Sequence, residues 1–315
     1  MMGEPVIQTE NLTKKYGYKT AVDNLNLEID KGEIFGLIGP NGSGKTTTVL
    51  MLLGFTEPTH GKCRVLGLDP LTNPREVKRR TGYIPERVGF YEELTSGENL
   101  YYVAKLNDIP KDEVEDQIVD VLENVGLEGE ERTKVEEFSQ GMRQRLAIAS
   151  VLIKEPEIVF LDEPTTGLDP EGAEEILKII EEMKAEKEMT VLCSSHLLHH
   201  LRRISDRVGM MIDGSMVAEQ KISELEDEVS SLIVAEVSEI TEDLLDEIGS
   251  IEEVESVDTK DGEITVKGKG DLRGKIAETI VNTGSTLLGL ERKKVELSDF
   301  YERYSKEREK RGGSS

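Results

Sequence analysis

One stretch restricts the fold more than any other. The nearly all-apolar run Glu33-Ile34-Phe35-Gly36-Leu37-Ile38 passes into glycines, then into Lys45-Thr46-Thr47 and a segment of helical character, residues 48–55. An apolar run of this kind fits a strand buried on both faces of a sheet. Between strand and helix lies Gly39-Pro40-Asn41-Gly42-Ser43-Gly44-Lys45-Thr46, with the spacing G-x-x-x-x-G-K-[ST]. Its glycines let consecutive backbone N–H groups face inward around phosphate oxygens, and the helix N-terminus adds a favourable dipole. Lys45 supplies a point charge toward β- and γ-phosphates, and Thr46 a hydroxyl for Mg²⁺. A chance match in a glycine-rich loop is the competing reading, and the strand before and helix after argue against it.

A second buried strand, Ile158-Val159-Phe160-Leu161, ends in Asp162-Glu163. Acids at the carboxyl end of a strand stand where α/β sheets bind ligands. Asp162 is placed to hold Mg²⁺, directly or through water, and Glu163 to polarise an attacking water as general base. A strand-end acid pair that only caps the next turn is the bland reading.

Four further pieces are weak singly. Phe138-Ser139-Gln140-Gly141-Met142-Arg143 puts Ser139 at a natural helix N-cap. Gly167-Leu168-Asp169-Pro170 reads as a turn. His196 ends a strand as Ser-Ser-His, within reach of a γ-phosphate or simply structural. Tyr16, before Gly17 in the first hairpin, is placed to stack on a purine or to pack.

Along the chain, residues 6–38 read as short strands with a tight Lys31-Gly32 turn, residues 96–154 as helices, and residues 156–196 as strand, helix, strand. That alternation predicts an α/β architecture with a parallel sheet and crossover helices. After Glu219 the character shifts. Between Lys221 and Lys260 stand fourteen Asp/Glu and no Lys/Arg, which suggests a solvated charge run. Apolar periodicity overrides that suggestion. Strand, helix, a hairpin turning at Asp261-Gly262, a second helix and a strand give β-α-β-β-α-β, a small ferredoxin-like α+β module. A last helix begins at Leu297. The expected domains are 1–220 (helical subdomain about 96–154), a linker 221–228, an accessory domain 229–310 and a flexible tail 311–315.

Composition excludes several functions. Among 315 residues, 64 Asp+Glu stand against 39 Lys+Arg, a net charge of −25. Non-specific nucleic-acid binding needs the opposite sign, so nucleic acid is not an expected partner. No apolar run approaches the roughly 20 residues of a membrane span. The N-terminus lacks a basic region followed by an apolar one, which argues against a cleaved signal peptide. Cys63 and Cys193 lie far apart with no partner at metal-ligand spacing, which argues against zinc or a disulfide framework. A cytoplasmic protein is expected, its acidity a surface adaptation that high salt would screen.

In this order and spacing, the phosphate loop, Ser139-Gln140-Gly141, Asp162-Glu163 and His196 resemble the nucleotide-binding subunit of an ABC transporter over about residues 5–220. The resemblance implies a P-loop NTPase core with an antiparallel β subdomain and a helical signature subdomain. It implies ATP and Mg²⁺ as cofactors, with Gly39, Pro40, Asn41, Gly42, Ser43, Gly44, Lys45, Thr46 and Thr47 as the phosphate loop. It also implies a head-to-tail dimer with a second copy or a paralogue, sandwiching two ATP molecules. On it, Tyr16 stacks adenine, Ser139 and Gly141 meet the partner's γ-phosphate, and Glu163 activates water. Asp169 couples the two sites, and His196 orients the γ-phosphate.

Two motifs depart from the family pattern, at three positions. Glu86 replaces the usual glutamine; as a carboxylate it still binds Mg²⁺ or water but cannot donate when ionised. Gln140 and Met142 stand where glycine and glutamine are commonest. The forms around Glu86, Ser139 and His196 resemble the branch serving ABC-2 type exporters. Arg87–Leu94 lies where such subunits receive an integral membrane permease, so the protein is expected on the inner face of the cell membrane. A soluble, non-transport ABC ATPase acting as an assembly or remodelling factor is the alternative. The accessory module is expected to regulate or brace the dimer.

Overall fold

Two twelve-residue strands, β1 (Pro5–Tyr16) and β2 (Lys19–Asp30), pair antiparallel. Their inward residues Ile7, Leu12, Val22, Leu25, Leu27 and Ile29 are buried while intervening ones face solvent, the alternation of a half-buried sheet. In this computed structural model, which describes residues 5–224, 232–260, 262–268 and 270–292, the chain divides after Glu219 into two units.

In the first unit, β3 (Ile34–Ile38) is buried at every residue. β4 (His60–Val65) returns to pair with β1 and completes a three-stranded sheet, β2-β1-β4. A six-stranded sheet is completed by β5 (Thr81–Ile84), β6 (Ile158–Asp162), β7 (Thr190–Ser195), β8 (Arg207–Ile212) and β9 (Ser215–Lys221), in the order β5-β6-β7-β3-β8-β9. Its pairs β5–β6, β6–β7, β3–β7 and β3–β8 are parallel. Crossover helices connect such strands: α1 (Lys45–Leu52), α2 (Pro74–Arg80) and, further along, α6 (Pro170–Lys187) and α7 (Leu198–Ile204).

Between β5 and β6 lies the helical subdomain, with α3 (Ser96–Leu106), α4 (Lys111–Asn124) and α5 (Gln140–Leu152). Each start has a local cause where a side chain satisfies an orphan N–H. Thr95 and Glu98 form a reciprocal capping box at α3, and Ser139 accepts from Met142 N–H at α5. At α6, Asp169 caps and Pro170 follows at the first position.

The second unit has its own core. β10 (Leu232–Val237), α8 (Glu242–Gly249), β11 (Val254–Lys260), β12 (Glu263–Gly268), α9 (Arg273–Asn282) and β13 (Leu287–Arg292) follow in chain order. The sheet order β11-β12-β10-β13 is antiparallel throughout, the ferredoxin-like arrangement that the sequence predicts. Ile233, Ala235, Ile264 and Val266 pack under Leu244, Ile248, Ile276 and Ile280. The expected last helix, the tail, residues 225–228 of the linker and Asp261 of the hairpin turn lie outside the described residues.

Candidate active site

The neighbouring strands β6, β7 and β3 run parallel, so their carboxyl ends converge. Asp162 pairs in register with Ser194, and Ile38 with Ser195. Those three ends deliver Gly39 and the phosphate loop, Asp162-Glu163, and Ser195-His196 to one place.

The loop is closed by Ser43 N–H donating to Pro40 O at 3.1 Å and anchored by Gly214 N–H to Ser43 O at 3.0 Å. Gly44 has φ +107°, and a Cβ there would come within 2.4 Å of Ala21 O, so the position admits only glycine. Among the described residues no side chain caps the N–H groups of α1's first turn. Lys45 is buried, and its Nζ donates to Gly39 O at 2.7 Å and Pro40 O at 3.4 Å. The same ammonium lies 3.3 Å from Glu163 Oε1.

Thr46 Oγ1 donates to Asp162 Oδ2 at 2.7 Å, and Ser194 Oγ to Asp162 Oδ1. Glu163 takes φ +53°, left-handed backbone that an L side chain rarely adopts. Its Oε2 faces His196 Nδ1 at 2.8 Å and accepts from His196 N–H at 3.3 Å and Thr166 Oγ1 at 3.4 Å. Oε1 is buried and has no aligned hydrogen bond.

A cavity of about 470 Å³ gathers Tyr16, Lys19, Ala21, Asn41, Gly42, Gly44, Lys45, Thr46, Thr47, Glu86 and Glu163. Tyr16, at the end of β1, is half exposed, with Lys14 Nζ 4.9 Å from its ring centroid. Lys19 and Ala21, on the strand after the Gly17 turn, are wall residues that sequence reasoning missed; alternation on a strand following an aromatic was the available signal. Gly39, Pro40 and Ser43 form the loop without lining the cavity, and Asp162 stands behind Thr46. His196 reaches the cavity's Glu163 from outside.

The remaining candidates stand elsewhere. Ser139, Gly141 and Asp169 are not on this wall. Ser139 and Gly141 open the first turn of α5, where a Cβ on Gly141 would meet nothing nearer than Ser139 Oγ at 4.0 Å. Asp169 Oδ1 accepts from Gly172 N–H at 3.1 Å. Gln140 Nε2 donates to Thr166 O at 3.4 Å, linking α5 to the loop after Glu163.

Three carboxylates, Glu86, Asp162 and Glu163, against the two ammoniums of Lys19 and Lys45 leave the site negative. The effect reaches its neighbours: burial, reinforced by Asp162, pushes the Tyr83 hydroxyl up to about 12. Burial, reinforced by Glu163 and Asp162, likewise pushes the Cys193 thiol above its ordinary range. Among the described residues no group of three His, Cys, Asp or Glu forms a metal cage. A hydroxyl–carboxylate pair in a negative site suits instead a cation that completes its shell with phosphate and water, as Mg²⁺ does. Ser43 Oγ of the phosphate loop, buried without a partner among the described residues, and the uncapped N–H groups suit an anion. The residues fit both groups.

Comparisons with known proteins agree with this geometry. A family model described as ABC transporter matches residues 22–166. The chain is 37% identical over 298 residues to the bacitracin transport ATP-binding protein BcrA of Bacillus licheniformis, covering 94% of this chain and 96% of that protein. It is 37% identical over 216 residues to the lantibiotic transport ATP-binding protein SrtF of Streptococcus pyogenes, covering 69% and 91%. A solved ATP-binding subunit of an ABC transporter superposes with TM-score 0.63 at 30% identity, covering 70% of this chain and 92% of that one. A dimeric post-hydrolysis state of an ATP-binding cassette bound to ADP and Pi gives TM-score 0.63 at 26% identity, covering 69% and 98%.

Proposed function

Because the chain belongs to the ABC transporter family of ATP-binding subunits, we propose that it drives export through a separate ABC-2 type membrane permease. As a member of that family it binds ATP and is an ATP hydrolase. One observation carries the reading of its site: Tyr16, the phosphate loop, Glu86 and Glu163 share one cavity.

In this reading Tyr16 stacks the adenine, and the phosphate loop with Lys45 holds the β- and γ-phosphates. Mg²⁺, which Thr46, Asp162 and Glu86 would hold, neutralises phosphate charge when bound. Glu163 accepts a proton from the water that attacks the γ-phosphorus, through Oε1, which makes no aligned hydrogen bond and has only the Lys45 ammonium beside it. His196 fixes the other oxygen and reaches toward the γ-phosphate. Ser139 and Gly141, at the open start of α5, meet the nucleotide of a second copy in a head-to-tail dimer, and Asp169 couples the two sites. A dimeric structural neighbour supports that arrangement.

The permease docks near Arg87–Leu94 and holds the subunit at the inner face of the membrane. Among the described residues no helix is long and apolar enough to cross a membrane; in this reading a second chain supplies the pathway, as the transport names of the relatives suggest. The cargo we infer is a compound of the bacitracin or lantibiotic kind, from the names of the relatives. Those names give no support to the assembly-factor alternative. The second unit braces or regulates the dimer.

The deciding experiment is Glu163→Gln in the purified protein with Mg-ATP. The expected result is an ATP-bound dimer on size exclusion with little turnover. Normal turnover would refute the base assignment, and a strictly monomeric ATP-bound form the dimer.

A further inference from the structure

Two histidines reach the same loop. His196, at the end of β7, meets Glu163 Oε2 through Nδ1. Four residues on, His200 of α7 places its own Nδ1 2.9 Å from Thr165 Oγ1. Thr165 is 5% exposed and stands two residues beyond Glu163. Its neighbour Thr166 donates its N–H to Glu163 O at 3.1 Å and its hydroxyl to Glu163 Oε2. Position 163 is in the left-handed region, a conformation that persists only where the surroundings over-determine it. The Thr165–His200 bond is one such constraint, since it ties the turn to a helix. His200 does not line the cavity and touches none of its residues through this bond.

We propose that His200 is a positioning residue for hydrolysis, holding through Thr165 the turn that aims the Glu163 carboxylate. The proposal rests on reading Glu163 as the base. Without the bond the turn relaxes, and the carboxylate spends less of its time with Oε1 toward the cavity. Nucleotide contacts stay as they are, so the loss falls on kcat and not on KM.

The test is steady-state Mg-ATPase of the full chain, with thermal unfolding of every variant. His200→Ala and Thr165→Val are each expected to lower kcat about tenfold with KM within about twofold, since small misplacements of a reacting group are costly. The double variant falls no lower than either single one, because both remove the same bond. His200→Asn, whose amide stands near the place of Nδ1, restores most of kcat, while His200→Gln, which reaches the place of Nε2, does not. Thr165→Ser keeps the hydroxyl and the activity. Losses that add, a kcat for folded His200→Ala within about twofold of the parent, or rescue by Gln equal to that by Asn overturns the proposal. Glu163→Gln is run beside them. If it turns over normally, the base reading fails. If it is inactive while His200→Ala is not impaired, only the positioning role fails.

Discussion

His196 Nδ1 stands 2.8 Å from Glu163 Oε2, and this contact sets the tautomer of the imidazole. An ionised carboxylate has no proton to give, so the hydrogen sits on Nδ1 and Nε2 is left for another partner. The same contact turns Oε1 away from His196 and toward Lys45, 3.3 Å distant. Replacing Glu163 by Gln is therefore expected to lower kcat by about 10²–10⁴, the usual worth of a positioned general base, with ATP affinity retained. Single-turnover kinetics with labelled ATP checks this.

Thr46 and Asp162 form the pair best suited to a hard cation, their oxygens 2.7 Å apart. Thr46→Val keeps the shape and removes the hydroxyl. The half-saturating Mg²⁺ concentration for ATPase should rise about tenfold or more, an effect of the size seen when a metal-site partner is lost. An unchanged Mg²⁺ titration speaks against the assignment.

Burial, reinforced by the nearby His199 and His196, holds the His200 imidazole below its ordinary pKa. The unfolded chain, with a histidine near 6.5, then binds protons before the folded one does. Stability attached to neutral His200 is thus fully present above about pH 6.5 and declines as pH falls below it. Urea midpoints between pH 7.5 and 5.5 measure the decline, as test conditions on the linkage argument. His200→Asn should flatten it.

The proposed docking of a permease near Arg87–Leu94 has a suitable probe in Tyr91. Phe90 is half-buried, so Phe90→Asp risks the subdomain, whereas Tyr91 is half exposed and meets Tyr102 edge-on at 5.4 Å. Tyr91→Asp should weaken co-purification with the permease and uncouple transport while basal ATPase persists. Unchanged co-purification places the docking surface elsewhere.

The second unit's separate core predicts a local effect of core damage. Ile276 is fully buried against the sheet. Ile276→Ala should cost that unit about 2–5 kcal/mol by lost burial and a residual cavity. Calorimetry should show the loss in one transition, with Mg-ATPase of the first unit kept.

The sequence makes legible what is decided locally. The strand, loop and helix around Lys45, the acid pair ending β6, and Ser139 as a cap each depend on neighbours a few residues away. The second unit's order is legible because its apolar period switches cleanly between two and three to four. β4 and β5 are not. His60 to Val65 buries only Cys63 and Val65, which leaves little apolar pattern. Thr81 to Ile84 is four residues long and becomes a strand by pairing with β6. The sign of φ at Glu163 and the Thr165–His200 bond, spanning 35 residues, are tertiary facts with no local signature. Lys19 is a different case: it lines the cavity from the strand that follows Tyr16 and Gly17, where strand alternation after an aromatic was a local signal.

The caged ammonium of Lys45 bears on how nucleotide is captured. A free lysine gives up side-chain freedom worth up to roughly 2 kcal/mol when it is immobilised. Here that freedom is surrendered as the chain folds, to the carbonyls of Gly39 and Pro40. An arriving phosphate meets a cation already still, so association is limited by shedding water and not by ordering the protein. Loosening the cage should therefore leave the charge in place and yet weaken capture.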